Sequence, residues 1–239
     1  MNGTGRLPAG SSGRQARAER ILDATAGLLL RHGYKRVTID DVAAGAGVGK
    51  GTIYLHWKTR EALFWAVLQR DALRMLERIL ADLAGDDALA LPSRLMRAIY
   101  VEAAGRPLVR ALLLSDAEVL GGLAGDDAVA AAQAELAGNE NYLELLREQG
   151  LLRPGLTPAA AGYILGSVMR GFFAAAEPGS AAGLPLGQQA DLLADVLRRS
   201  LEIEGEPPAG AVAALAARVT ELFTAIVAVQ RDQLERAYG

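Results

Sequence analysis

The sequence predicts an all-α protein of 239 residues, and three observations carry that prediction. Apolar residues make up 51% of the chain and aromatic residues only 5%, so the core must be built largely from Ala, Leu and Val, a composition suited to packed helices. Apolar positions recur at steps of three and four, the helical period, in segment after segment. Nowhere does a period of two persist long enough to make a strand.

A Gly/Ser-rich opening, residues 1–13, reads as a disordered tail. A first helix is expected over 14–32, where Ala18, Ile21, Thr25, Leu28, Leu29 and His32 share a face and Gly33 stops the run. Thr38 offers a side-chain oxygen to the unpaired donors of a second helix, and Asp40 and Asp41 lie in the first turn, where the helix dipole favours acids. Ile39, Val42, Ala43 and Ala46 form its apolar face before Gly45-Ala46-Gly47 breaks it. Val48 leads into a third short helix ending near Trp57, and Thr59 caps a fourth that continues to Leu83.

Beyond Gly85 the pattern stays helical, punctuated at Pro92, Gly105-Arg106-Pro107, Gly121-Gly122, Gly125-Asp126 and Arg153-Pro154-Gly155. Thr157-Pro158, a cap followed by proline in the first turn, opens a helix that Glu177-Pro178-Gly179 ends. Two further helices are expected over 188–203 and 210–237. In the last, Leu215, Val219, Leu222, Ile226, Val229 and Gln233 step as a packing seam. The domain division that follows is a tail (1–13), a small helical head (14–60) and a larger helical body (61–239).

Charge separates head from body. Residues 1–60 carry ten Lys and Arg against four acids, a net +6, which leaves the remainder at 15 against 24, a net −9. All three lysines, Lys35, Lys50 and Lys58, lie in the head. A basic module on an acidic body points to a polyanion-binding element joined to a domain with another task.

Several classes are disfavoured. The longest charge-free apolar stretch, 154–169, contains Pro, Thr and Gly and falls short of the ~18 to 20 residues a bilayer needs, so no membrane partner is expected. No charged start followed by an apolar run precedes residue 15, so a cytoplasmic location is expected. With no cysteine there is no disulfide, thiolate zinc site or cysteine nucleophile. Both histidines fall within the first 56 residues, and no phosphate loop, nucleophile elbow or His/carboxylate spacing appears. Neither enzymatic chemistry nor a cofactor or metal is therefore expected.

The two short helices joined by a glycine-containing turn make a helix-turn-helix. On a wheel of ~100° per residue, Ile53 and Trp57 share the face that packs on helix one. Gly51, Thr52, Tyr54 and Leu55 span the face left for the major groove. Gly51 costs ~1 kcal/mol inside a helix relative to Ala, which close approach to a partner would explain, as would a position too near the helix start to matter. Lys50 can reach a guanine edge or a phosphate, or stand as a solvated lysine, and Leu55 suits a thymine methyl.

The stretch TIDDVAAGAGVGKGTIYLHWKTREALFWAVL, residues 38–68, resembles nearly position by position the DNA-binding domain of the tetracycline-repressor (TetR) family of transcriptional regulators. The detailed likeness runs from about Arg14 to Leu68; the remainder agrees in its helical architecture. The resemblance implies phosphate contacts from Thr38, Tyr54, His56 and Lys58, and base reading from the outward face of the third helix. Arg14 and Arg17 could form an arm into the minor groove or stand solvated. Gly49, where a serine cap is frequent, and Leu55, where an aromatic is frequent, depart from the family pattern and bear on which operator is read.

One short helix contacts too few bases for useful specificity, so a homodimer reading a palindromic duplex is expected. Gly162 and Gly166, four apart beside Leu165, Met169 and Phe172, make a smooth strip for helix-helix approach. The resemblance also implies a small-molecule effector held by the body, with Met96, Tyr100, Arg110, Leu112, Leu113, Tyr142, Met169, Arg170, Phe172 and Phe173 as candidate linings, although such residues serve equally as core. The function expected is a repressor released from its operator by that ligand. A body that only dimerises, or answers to a protein partner, is the alternative.

Overall fold

A computed structural model describes residues 9–114, 139–176 and 183–238. The described residues form ten α-helices. α1 (Ala9–His32), α2 (Ile39–Ala46), α3 (Lys50–His56) and α4 (Arg60–Leu83) are followed by a 3-10 turn (Asp87–Ala90). Then come α5 (Pro92–Ala104), α6 (Pro107–Leu114), α7 (Asn139–Glu148), α8 (Pro158–Ala175), α9 (Leu186–Leu201) and α10 (Ala209–Tyr238). Among these residues there is no strand; one isolated antiparallel bridge joins Leu152 to Glu202. The expected punctuation at 121–126 and the stop at 177–179 lie outside the described residues.

The threonine caps explain where helices begin. Thr38 Oγ1 accepts from the Asp41 amide at 3.2 Å while the Asp41 carboxylate accepts from the Thr38 amide at 2.9 Å, so two orphan donors are satisfied reciprocally. Thr59 Oγ1 caps α4 through the Ala62 amide, and Thr157 caps α8 through that of Ala160. Gly33 and Gly47 end α1 and α2 in the left-handed region (φ 72° and 65°), which a side chain would strain. α1 starts at Ala9, five residues before the expected 14, within the Gly/Ser-rich opening.

Two hydrophobic clusters organise the molecule. In the head, α1 supplies Ala18, Ile21 and Leu22, α2 Val42 and α3 Ile53, with Trp57 following it, and they meet Leu63, Phe64 and Val67 from the first half of α4. In the body, Met75, Ile79 and Leu83 from the second half of α4 meet α5, α7, α8, α9 and the first half of α10. α4 is thus one continuous helix shared by both cores, so the head's packing extends past residue 60. Leu108, Ala111 and Leu112 of α6 and Val227, Leu234 and Tyr238 of α10 also join the head's cluster.

α10 departs from expectation twice. Ala209–Arg236 contains a window long and apolar enough to cross a membrane by length and composition, which the stretch at 154–169 does not. Here 28% of that window is buried inside the chain, with Val212, Leu215, Ala216 and Val219 in the body core. The buried line then passes through Val227, Gln230, Leu234 and Tyr238, while Val229 is 53% exposed and Gln233 exposed. A strict seven-residue seam drifts by ~20° per repeat on a straight helix, so the expected seam loosens after Val219, with Leu222 and Ile226 half-buried, and leaves the interface at Val229.

Candidate nucleic-acid interface

α3 has only seven residues, too few to be stable alone in water. It is held by Ile53 (0% exposed) and Trp57 (2%), each fully buried apolar side chain stabilising the fold by roughly 1.5 to 3 kcal/mol. The opposite face is open: Leu55 is 67% exposed, Tyr54 44%, and Thr52 half-buried. A Cβ at Gly51 or Gly49 would meet nothing within 4 Å, so no contact inside the chain requires glycine there. The division of α3 into a buried and a presented face is the one the wheel gives.

The residues around this face are already engaged with one another. Lys50 Nζ lies 2.6 Å from Asp40 Oδ1, and that hydrogen-bonded carboxylate holds the ammonium's pKa above its ordinary value. Thr38 Oγ1 donates to Asp41 Oδ2 at 2.7 Å, which with the Thr38 amide pulls the Asp41 carboxyl below the usual range. Lys58 Nζ donates to the Tyr54 carbonyl at 3.4 Å, neutralising the negative end of α3. Exposed cations therefore flank the outward face, and each has a local partner that a phosphate would replace.

His56 is placed differently from the phosphate clamp the resemblance implies. It is half-buried, and its Nδ1 donates to the backbone carbonyl of Tyr238 at 3.0 Å. Burial pushes its pKa down, opposed by that bond, with the charges of Arg14 and Arg17 adding to the fall. In the neutral ring Nδ1 carries the proton and Nε2 is a bare acceptor, which cannot donate to a phosphate. Its work here is in anchoring the end of α3.

Sequence reasoning missed two parts of the head. Arg60 lies 4.5 Å over the Tyr34 ring and 5.0 Å from the Phe64 ring centre, and donates to the Tyr34 carbonyl at 3.1 Å, bracing the α1–α2 turn. Arg70, 3% exposed, pairs with Glu19 at 3.0 Å and Asp23 at 2.8 Å, joining α4 to α1. The arginine falls on the buried stripe of α4, and that position among leucines was the available signal.

The body separates its candidates. Tyr100 donates to Gln189 Oε1 at 2.6 Å and packs its ring on Phe173 (4.9 Å) and edge-on to Phe172 (6.3 Å). Leu113, Met169, Phe172 and Arg110 are half-buried nearby in sequence or on the same core, and Leu112 is buried in the cluster shared with the head. Met96 and Phe173 are core residues, and Tyr142 is fully inside, donating to the Ala90 carbonyl at 2.8 Å. Arg170 is exposed on the outer side of α8, so it does not face the apolar interior expected for it. A separate open cleft of about 730 Å³ lies between the 3-10 turn and the α9–α10 junction, bordered by Arg94, Arg153, Arg199 and Glu202. None of the candidate linings borders it.

The glycine strip is likewise corrected. Leu165 is 1% exposed and Phe172 half-buried, both turned into their own subunit with Ala161 and Phe173 at helical spacing. A Cβ at Gly162 would meet Leu143 Cδ1 at 3.4 Å, so this glycine admits α7; one at Gly166 would meet nothing. The side of α8 that faces outward carries Tyr163, 79% exposed, and α9 presents Leu192 (46%) and Val196 (39%).

Comparison with known proteins agrees with this geometry. Residues 21–67 match the family model described as bacterial regulatory proteins, tetR family. The HTH-type transcriptional regulator AlkX of Mycobacterium tuberculosis is 31% identical over 110 residues, covering 45% of this chain and 52% of AlkX. The chain spans about half or less of the length of the curated relatives it matches. SmeT, the repressor of the Stenotrophomonas maltophilia multidrug efflux pump SmeDEF, has the same fold with a TM-score of 0.61 at 23% identity, over 81% of this chain and 95% of SmeT. FadR of Bacillus subtilis, solved with stearoyl-CoA, matches at 16% identity and a TM-score of 0.61 over 75% and 96%.

Proposed function

We propose, on the match of residues 21–67 to the family model of bacterial regulatory proteins, tetR family, that the protein is a dimeric, sequence-specific transcriptional repressor of that family, released from a palindromic operator by a small molecule. The observation that carries this reading is α3: two buried anchors fix it, while an unobstructed face of Gly51, Thr52, Tyr54 and Leu55 stands between Lys50 and Lys58. Base edges are read by that face; Thr38, Tyr54 and Lys58 position the backbone, Thr38 and Lys58 exchanging their present partners for phosphate oxygens.

Two copies are needed to read two half-sites about one helical turn apart, ~34 to 36 Å. The surface that supports a second copy is the outer side of α8 with α9, where Tyr163, Leu192 and Val196 are exposed apolar groups on helices already packed together. SmeT has also been solved with triclosan, at 26% identity and a TM-score of 0.61 over 80% of this chain and 94% of that one. With the FadR complex, it supports an effector that carries a sizeable apolar part, held in the body against Tyr100, Phe172 and Met169.

Selection of bound fragments from random duplexes tests the reading. The expected product is a two-fold symmetric site with half-sites a helical turn apart, and the absence of any enriched site would refute it. A small-molecule screen by thermal shift, with release of that duplex as the second readout, then tests the effector.

A further inference from the structure

α10 runs from the body to the foot of the reading helix. Its first half lies in the body core through Leu215 and Val219, and its last turns enter the head's core through Val227, Leu234 and Tyr238. Tyr238 meets the head at three points. Its carbonyl accepts from His56 Nδ1 at 3.0 Å, its ring stands edge-on to Trp57 at 6.4 Å and 87°, and its hydroxyl donates to Glu19 Oε1 at 2.6 Å. The other oxygen of Glu19 accepts from Arg70 and Arg74 at 3.0 and 3.1 Å, so the tyrosine closes a charge network between α1 and α4. Along the way Gln69 donates to Gln233 at 3.2 Å and Arg231 to Glu77 at 2.5 Å.

The head is thus attached to the body covalently through α4 and noncovalently through α6 and α10, and α10 is the one that reaches His56 at the end of α3 and Glu19 of α1. Rotation about a connecting helix is a soft motion; α10 adds an attachment away from α4, at the end of α3, that removes this freedom. We propose that α10 is a clasp fixing the attitude of the head on the body, and that Tyr238 is a positioning residue for operator reading, acting through His56, Trp57 and Glu19. The inference rests on the DNA-binding reading above for its consequence, though not for the mechanics. Fixing both heads in advance removes an ordering cost from specific binding. Attraction to phosphate depends on charge and is indifferent to attitude.

The chain contains no cysteine, so Lys35→Cys in the head and Glu148→Cys in the body, both exposed, place two spin labels per chain. Labelled chain diluted into excess unlabelled chain reports the distance within one subunit. The expected result is one narrow distance in the parent protein, broadened by Tyr238→Ala and by ending the chain after Arg231, and broadened less by Tyr238→Phe, which keeps the ring and carbonyl. The same variants are expected to lose at least tenfold in affinity for the selected operator while holding random duplex within twofold. An unbroadened distance in Tyr238→Ala and the shortened chain overturns the clasp. Broadening with operator affinity within twofold of the parent overturns the positioning role. Should the shortened chain fail to fold, Tyr238→Ala carries both readouts. A parent protein that selects no duplex refutes the DNA-binding reading, and the distances still decide the clasp.

Discussion

Lys50 and Asp40 form an ion pair at 2.6 Å across the turn of the reading motif, with both side chains more than half exposed. The first cation of α3 is therefore held by a carboxylate of α2, which on the proposed function also places a negative charge where the duplex would approach. Asp40→Asn frees the ammonium and removes that charge, so affinity for any duplex is expected to rise several-fold at low salt. The melting temperature should scarcely move, because exposed pairs stabilise little. Binding isotherms across a salt series check this; unchanged affinity at low salt counts against Lys50 facing DNA.

Lys58 at the other end of α3 is expected to contact phosphate rather than a base. Lys58→Ala should weaken selected and random duplexes alike and lower the slope of log K against log salt by about 0.9 for one lost contact. A slope equal to the parent's would remove Lys58 from the interface.

Truncating the presented face should separate reading from folding. Thr52→Ala and Tyr54→Ala are expected to cost about 1 to 3 kcal/mol of specific binding with helicity retained, whereas Ile53→Ala on the buried face should cost about 2 to 5 kcal/mol of stability. Circular dichroism melts and operator titrations distinguish the two; unfolding of either surface variant would make those residues structural.

Charges on the outer side of α8 and α9 test the assembly. Tyr163→Glu combined with Leu192→Glu is expected to sediment as a folded monomer with weak operator binding. Gly162→Glu, whose Cβ would meet Leu143 Cδ1 at 3.4 Å, should instead lower stability. Dimers persisting in the double variant would move the interface elsewhere.

The pH dependence of stability follows from His56. Burial holds its pKa below the ordinary value of 6.5, so the folded state prefers the neutral ring and the unfolded chain binds the proton first. The stability tied to His56 is present above pH 6.5 and is lost as pH falls through the lowered folded value. Half-buried Asp71, whose carboxyl is pushed up by desolvation, moves in the opposite sense. The measurement is therefore a difference: urea midpoints of the parent and His56→Asn between pH 7.5 and 5.5, with the parent's advantage expected to shrink toward acid.

The head was almost wholly legible. Thr38, Thr59, Gly33 and Gly47 act through their nearest neighbours along the chain, and the periodicity of seven residues was enough to turn Ile53 and Trp57 inward and Leu55 outward. The body was legible as helices and much less as surfaces. Gly162 and Leu165 look alike whether a helix faces its own subunit or a copy of itself, since both faces call for small or apolar residues. Leu165 proved to be core, and the exposed Tyr163 beside it carried no signal of its own.

The sequence by itself determined what local physics can fix: helical class, caps and breaks, the two faces of α3, and the charge division between head and body. Only the tertiary structure decided that Arg70 is neutralised by Glu19 and Asp23, that the packing line of α10 shifts after Val219, and that Tyr238 reaches His56. Those contacts join residues separated by tens to nearly two hundred positions. Their geometry comes from how whole helices pack, and no pattern of spacing along one helix encodes which other helix will lie against it.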